Sequence, residues 1–153
     1  PCGLEPTHVD LLWYGSHGVE TLFTCMGIGC ESVSHTSTED YEFAVGRWSD
    51  GRIGTFRGMR SGTKGYGGMA FGEKSNTAIG PYGGYKPLVV EIAKFFRTGN
   101  PPVDAAETIQ VYAFMQAAFQ SKSQGGVPVS IADVMKTAEQ EAMELLAGRL
   151  SGQ

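Results

Sequence analysis

Between Glu31 and Gly80 the chain follows one pattern, and on either side of that block it follows another. Inside it, "ESVSHTST", "YEFAVGRW", "RIGTFRGMR" and "YGGMAFGE" are short, rich in β-branched and aromatic residues and punctuated by glycine, which is the pattern of strands. Outside it, apolar residues recur every three or four positions, as helices require. Strands grouped in one block with helices around them predict an α+β domain, an open, mainly antiparallel sheet with helices packed on one face. Ser49-Asp50-Gly51, between the second and third strands, supplies the Asp-Gly pair that a tight hairpin turn needs, so the sheet is antiparallel there.

The helix boundaries can be read from the same sequence. From Asp10 the set Leu12, Gly15, Val19, Leu22, Phe23 and Met26 forms one face of a first helix ending near Gly27. Pro87 suits the first turn of a helix carrying Leu88, Ile92, Phe95 and Phe96, which stops at Gly99-Asn100-Pro101-Pro102. Asp104 with Glu107 forms a capping-box pattern before Val111, Tyr112, Met115, Ala118 and Phe119. Ser130 with Asp133 does the same before Val134, Ala138, Ala142 and Leu145, and Gly125-Gly126 separates these two helices. In the second strand Tyr41, Phe43 and Val45 lie on one side and Ala44 and Trp48 on the other. Both sheet faces therefore carry apolar surface, which a second copy of the chain or a curled sheet edge would cover.

A length of 153 residues with 41% apolar content suits one domain over 1–153. A net charge of −4 gives no sign of nucleic acid as a partner, and no apolar run approaches the roughly 18 residues of a membrane span. "PCGLEPTHVD" has neither the basic nor the apolar region of a signal peptide, and it lacks an initiator Met. Cys2, Cys25 and Cys30 are odd in number, and their spacing fits neither a disulfide framework nor a zinc site. They read as reduced packing thiols, which suits a cytoplasmic setting.

Two stretches could carry chemistry. At 100° per residue His17 falls opposite the apolar stripe of the first helix, with Asp10, Trp13, Tyr14, Glu20, Thr21 and Thr24 around it. Histidine is the side chain that both takes and gives a proton near neutral pH, and Glu20 at i+3 can reach the ring and orient it. An exposed helical histidine beside an exposed glutamate is the plain alternative. Gly15 and Gly18 each cost a helix about 1 kcal/mol, which implies that a neighbouring backbone or a flat ligand comes close. Residues 51–84 hold eleven glycines, five basic residues and one acid, a segment of +4 that leaves −8 elsewhere. Within it Lys64 and Tyr66 are candidate substrate contacts. Gly65–Ala70, "GYGGMA", fits the letters of a dinucleotide-binding turn but lacks the preceding parallel strand and following helix, so it reads as a loop and twisted strand.

"LLWYGSHGVETLFTCMG" resembles the segment that opens the C-terminal half of the Gfo/Idh/MocA oxidoreductases, where D-x-G-x-H-x-x-D precedes an apolar helix ending in Gly. Gly15 and His17 match, Glu20 replaces the second Asp, and Trp13 stands where the first would be. "WSDGRIGTFRG" is similar to the family's hairpin, and the run from "YKPLVVEIAKFFRTG" to "SQGGVPV" to its closing helices, so the resemblance spans nearly the whole chain. It implies a C-terminal domain of the type found in glyceraldehyde-3-phosphate dehydrogenase, forming dimers or tetramers through its open sheet. It also implies a partner Rossmann domain, absent here, that binds NAD or NADP. The family's Glu-Lys-Pro motif is missing too, and Lys86-Pro87 lies in the wrong place to replace it. By the matching position His17 is the implied acid/base on a sugar or polyol, with Trp13, Tyr14, Glu20, Lys64 and Tyr66 as substrate contacts. Trp13 can stack on a sugar ring but cannot move a proton. A non-catalytic carbohydrate-binding or scaffolding module is the alternative.

Overall fold

The hairpin at Asp50-Gly51 forms as its residues demand: Gly51 takes a φ of 86°, its N–H donates to the Trp48 carbonyl at 2.9 Å, and Asp50 Oδ1 accepts from the Arg52 N–H at 3.1 Å. The flanking strands run in antiparallel register from Tyr41 opposite Met59 to Arg47 opposite Ile53. The computed structural model describes residues 1–5, 7 and 11–151. In chain order its elements are β1 (Cys2–Gly3), α1 (Gly15–Met26), β2 (Cys30–Ser37), β3 (Tyr41–Trp48), β4 (Ile53–Met59), β5 (Gly68–Phe71), β6 (Asn76–Ile79), α2 (Lys86–Thr98), α3 (Ala105–Ser123), β7 (Val129–Ser130) and α4 (Ile131–Ser151). The main sheet has the order β1-β4-β3-β2-β7, with only β1 parallel to its neighbour. This is the expected α+β architecture, with one correction. The "GMAF" strand does not join the main sheet but pairs with β6 in a two-stranded ribbon of its own.

The phase of β3 decides which sheet face is inner. Glu42, Ala44, Gly46 and Trp48 are buried, while Tyr41, Phe43 and Val45 are half-buried on the open face. Trp48 sets this phase because its indole lies back over Gly46 and the facing Gly54, where an added Cβ would come within 2.8 and 2.9 Å of the ring. Phe23 from α1 meets Trp48 at 5.6 Å between centroids and Phe114 from α3 at 5.8 Å, contacts worth about 0.5–1.5 kcal/mol each beyond area burial. Trp48 Nε1 donates to the Gly27 carbonyl at 2.9 Å. Arg52, held by Asp50, donates to the Met26 carbonyl at 2.9 Å, so the hairpin satisfies carbonyls at the end of α1.

The helices depart from their expected faces in identifiable ways. Asp10 lies outside the described residues, and 11–14 form a turn, so α1 begins only at Gly15. Leu11 is therefore buried and Leu12 is 47% exposed, the reverse of a stripe that counts the turn as helix. In α3, capped by Asp104 Oδ1 on the Ala106 N–H at 2.8 Å, Phe114 is fully buried and Tyr112 is exposed. This helix touches the sheet, α1 and α4, so its buried arc is wider than one stripe. In α4, Ile131 and Val134 are buried, but Leu145 is exposed. The helix α2 buries none of its residues, so its expected stripe covers nothing.

Gly15 and Gly18 permit close approach, but to the chain's own core. A Cβ on Gly15 would stand 3.1 Å from Leu11 Cβ, and one on Gly18 would stand 2.6 Å from both Cys2 Cβ and Phe56 Cε2. Gly18→Ala is therefore expected to destabilise by about 1–3 kcal/mol through overpacking, more than the helix-propensity gain of about 1 kcal/mol returns. Chemical denaturation reads this directly, and an alanine variant as stable as the parent would reject the close approach.

Candidate functional site

The start of α1 is where the sequence-selected residues gather. His17 is exposed, and its Nδ1 lies 3.1 Å from Glu20 Oε2, one turn further along the helix. This engages one ring nitrogen and leaves Nε2 for chemistry. Tyr14 and Tyr66 bracket the imidazole edge-on, each with its centroid 6.2 Å from it, and Trp13 continues the row at 6.3 Å from Tyr14. Trp13 and Tyr14 are 57% and 44% exposed, too much aromatic surface for a purely structural turn. The helix's other polar groups are turned inward on its own backbone: the hydroxyls of Ser16, Thr21 and Thr24 donate to the carbonyls of Trp13, His17 and Glu20. His17 and Glu20 are the ionisable pair on this surface.

Below the aromatic row sits Cys2, fully buried, its thiol donating to the Tyr14 carbonyl at 3.1 Å. Burial pushes this thiol up from its ordinary value, so it is a packing group and not a nucleophile. Burial also pushes the Tyr66 phenol up, and Cys2 and Tyr14 add to the shift. Tyr66 is thus a neutral hydroxyl beside His17, able to hydrogen-bond but not to ionise near neutral pH. Lys64 behaves differently from the rest. Its Nζ donates to the Leu4 carbonyl at 3.0 Å and its stem lies over Gly3, so its contacts are with the β1 edge and not with His17. Cys2 and Cys30 are buried, as packing thiols are, whereas Cys25 is exposed and does not pack in the core.

The same geometry can be tested for a cofactor and for a metal. The stretch Gly65–Ala70 runs from a loop into β5, whose successor is β6, so no helix N-terminus follows to receive a pyrophosphate. This stretch therefore does not form a dinucleotide-binding turn. Among the described residues there is also no cluster of His, Cys, Asp and Glu that could hold a metal, and no helix is long and apolar enough to cross a membrane. An open depression of about 400 Å³ on the β5–β6 ribbon, lined by Ala70, Gly72, Glu73, Lys74, Ser75 and Thr77, shares no residue with the His17 group. Apart from the half-buried Ala70 its lining is solvent-exposed, unlike the enclosing walls of a ligand cleft.

Sequence reasoning missed a second ionisable cluster, inside the core. Glu42, 1% exposed on the inner face of β3, has Arg60 Nη2 at 2.5 Å and Lys122 Nζ at 2.7 Å on Oε1. His35 Nε2 stands 2.9 Å from Oε2. His35 also donates its backbone N–H to Ser121 Oγ, which in turn donates to the Val127 carbonyl. Burial pulls the His35 imidazole below its ordinary value; Glu42 opposes this, and Lys122 and Arg60 reinforce it. The group ties β2, β3, the end of β4 and α3 together around a buried carboxylate, with only Lys122 reaching solvent, which makes it structural. The signal for it was present in the sequence: Glu42 shares its strand parity with Trp48.

No family model matches the sequence, and no curated protein matches it. Among solved structures, one from Desulfitobacterium hafniense described as a "putative NADPH-dependent oxidoreductase" superimposes with a TM-score of 0.63 at 14% identity, over 82% of this chain and 48% of that one. The two share a fold, and this chain spans about half the length of its neighbour.

Proposed function

We propose that this chain is the substrate-binding and oligomerisation half of an NAD(P)-dependent oxidoreductase acting on a sugar or polyol, with His17 as its proton carrier. The observation that carries the reading is an exposed imidazole held through Nδ1 by Glu20 and flanked by Tyr14 and Tyr66. In this role Nε2 takes a proton from a substrate hydroxyl, or returns one to a carbonyl, while Glu20 orients the ring and stabilises its charged form. Trp13 and Tyr14 offer flat apolar faces to the ring carbons of a sugar, and Tyr66 offers a neutral hydroxyl. Support also comes from the fold shared with a protein described as an NADPH-dependent oxidoreductase. Dinucleotide binding belongs to another domain, since this chain's glycine stretch does not fit one. The open sheet face, with Tyr41, Phe43 and Val45 half-buried, is where a second copy of the chain would pack.

A carbohydrate-binding module without catalysis is the second reading, favoured by one observation: the exposed Trp13 occupies the position where an acid would assist His17.

Nuclear magnetic resonance titration of the 153-residue chain with glucose and xylitol is expected to shift the ring signals of Tyr14, His17 and Tyr66, while NADPH gives no saturable change. Saturable NADPH binding at micromolar concentration, or sugar-induced shifts confined to other residues, would refute the assignment.

A further inference from the structure

The imidazole of His17 and the phenol of Tyr66 stand 49 residues apart in the chain, yet both are built on one support. That support is the arm around β1. Leu4 is buried, its N–H on the Met59 carbonyl at 2.8 Å, and its side chain fills the space over Gly58 and Gly15, where an added Cβ would come within 2.5 and 3.3 Å of it. Gly15 opens α1 two residues before His17. Cys2 completes the support, with its thiol on the Tyr14 carbonyl and against the Tyr66 phenol.

The loop that carries Tyr66 has to be held in place. Residues 60–67 form neither helix nor strand, and Gly62, Gly65 and Gly67 add conformational freedom that ordering must remove. Its ends are fixed: the Arg60 N–H donates to the Asp40 carbonyl at 2.8 Å, and Gly67 lies so close to the β5–β6 ribbon that an added Cβ would stand 2.7 Å from the Ile79 carbonyl oxygen. Lys64 ties down the middle. Its ammonium donates to the Leu4 carbonyl at 3.0 Å, and its stem covers Gly3 so closely that a Cβ there would stand 3.1 Å from Lys64 Cβ. Two residues on, Tyr66 packs against the core with its ring edge-on to His17, the centroids 6.2 Å apart.

We infer that Lys64 is a positioning residue of the candidate site: seated on the Leu4 carbonyl, it clamps this loop to the arm that supports α1 and so holds Tyr66 against the His17 ring. A lysine suits the task, because a charge-assisted hydrogen bond is roughly twice as strong as a neutral one and the apolar stem covers backbone on the way to its acceptor. The clamp itself is a property of the fold, whereas its effect on substrate rests on the proposed function. There Tyr66 supplies the neutral hydroxyl beside His17, so releasing the loop withdraws that hydroxyl while His17 and Glu20 stay paired on α1.

Nuclear magnetic resonance of the 153-residue chain gives two readouts, the cross-peak between the His17 and Tyr66 rings and the dissociation constant of xylitol. Lys64→Met should remove the cross-peak, shift the His17 ring signals as the Tyr66 ring current is lost, and raise the xylitol Kd about tenfold or more, as fits the loss of a hydrogen bond to a charged group. Lys64 is exposed, so circular dichroism should show the fold unchanged. Lys64→Arg keeps a cationic donor within reach of Leu4 and should restore both readouts. Gly3→Val, which displaces the stem from the other side, should reproduce the loss with Lys64 intact, and Lys74→Met, the same change of charge on the ribbon, should alter neither. A cross-peak that survives Lys64→Met overturns the proposal; if xylitol affinity falls all the same, Lys64 touches the substrate directly. A parent chain that does not bind xylitol refutes the functional reading instead, and the cross-peak still decides the clamp.

Discussion

Glu42→Leu is expected to lower the unfolding free energy by about 3 kcal/mol, the loss that follows when one partner of a buried ion pair is removed and the other is left behind. The carboxylate is 2% exposed and Arg60 is 13% exposed, so the stranded guanidinium cannot recover full hydration without moving strand ends. Lys122 is 41% exposed and can swing to water, so Lys122→Met should cost under about 1 kcal/mol. Urea unfolding separates these outcomes, and a Glu42→Leu loss as small as that of Lys122→Met would show that the core does not need its carboxylate. The same cluster sets a pH dependence. Because burial holds His35 below its ordinary value, the unfolded chain binds the proton first. Stability is then full above the ordinary histidine value of about 6.5 and falls as pH drops from there through the folded value. His35→Phe should flatten that slope. A slope unchanged by the substitution would place its origin elsewhere.

The parts of this fold that follow local pattern were legible, and the parts that depend on what stands opposite were not. Alternation and the Asp-Gly turn placed β3 and the hairpin, and Pro87, Asp104 and Gly99 mark the helix ends seen in the structure. The two-residue strands β1 and β7 are too short to carry a period, and they exist only because Met59 and Ser32 offer them a ladder. The stripe on α4 is continuous in sequence, yet only its first turn finds the body. Burial is a property of the neighbour as much as of the helix. Glu42 shows the converse: the indole of Trp48 fixes the strand phase, and a carboxylate three same-face positions earlier must then go inside and collect the cations Arg60 and Lys122 from two other segments. At the candidate site, helical angle alone turned His17 outward and brought Glu20 to it. That Tyr66, 49 residues later, would close over the ring lay beyond any local pattern, and Lys64 in the same segment went instead to β1.

On the proposed function, His17→Ala in the chain joined to its dinucleotide-binding partner domain is expected to reduce kcat by about 10² to 10⁴-fold, the usual worth of a positioned general acid or base. The loss should fall on kcat with little change in KM, because in the proposed role the imidazole acts on the proton in flight while the aromatic row binds the substrate. Glu20→Gln should lose less, since the ring keeps its proton chemistry and gives up only the carboxylate that orients it through Nδ1. Trp13→Ala should do the opposite, raising KM with kcat nearly kept, if the indole stacks on the substrate. Trp13→Asp then separates the two functional readings. A gain in turnover means that an acid beside His17 had been lost and the chain had become a binding module. A fall means that this branch of the fold works with an aromatic floor and a single proton carrier. Turnover unaffected by His17→Ala would remove the imidazole from the chemistry, and the row of Trp13, Tyr14 and Tyr66 would remain as a sugar-binding surface alone.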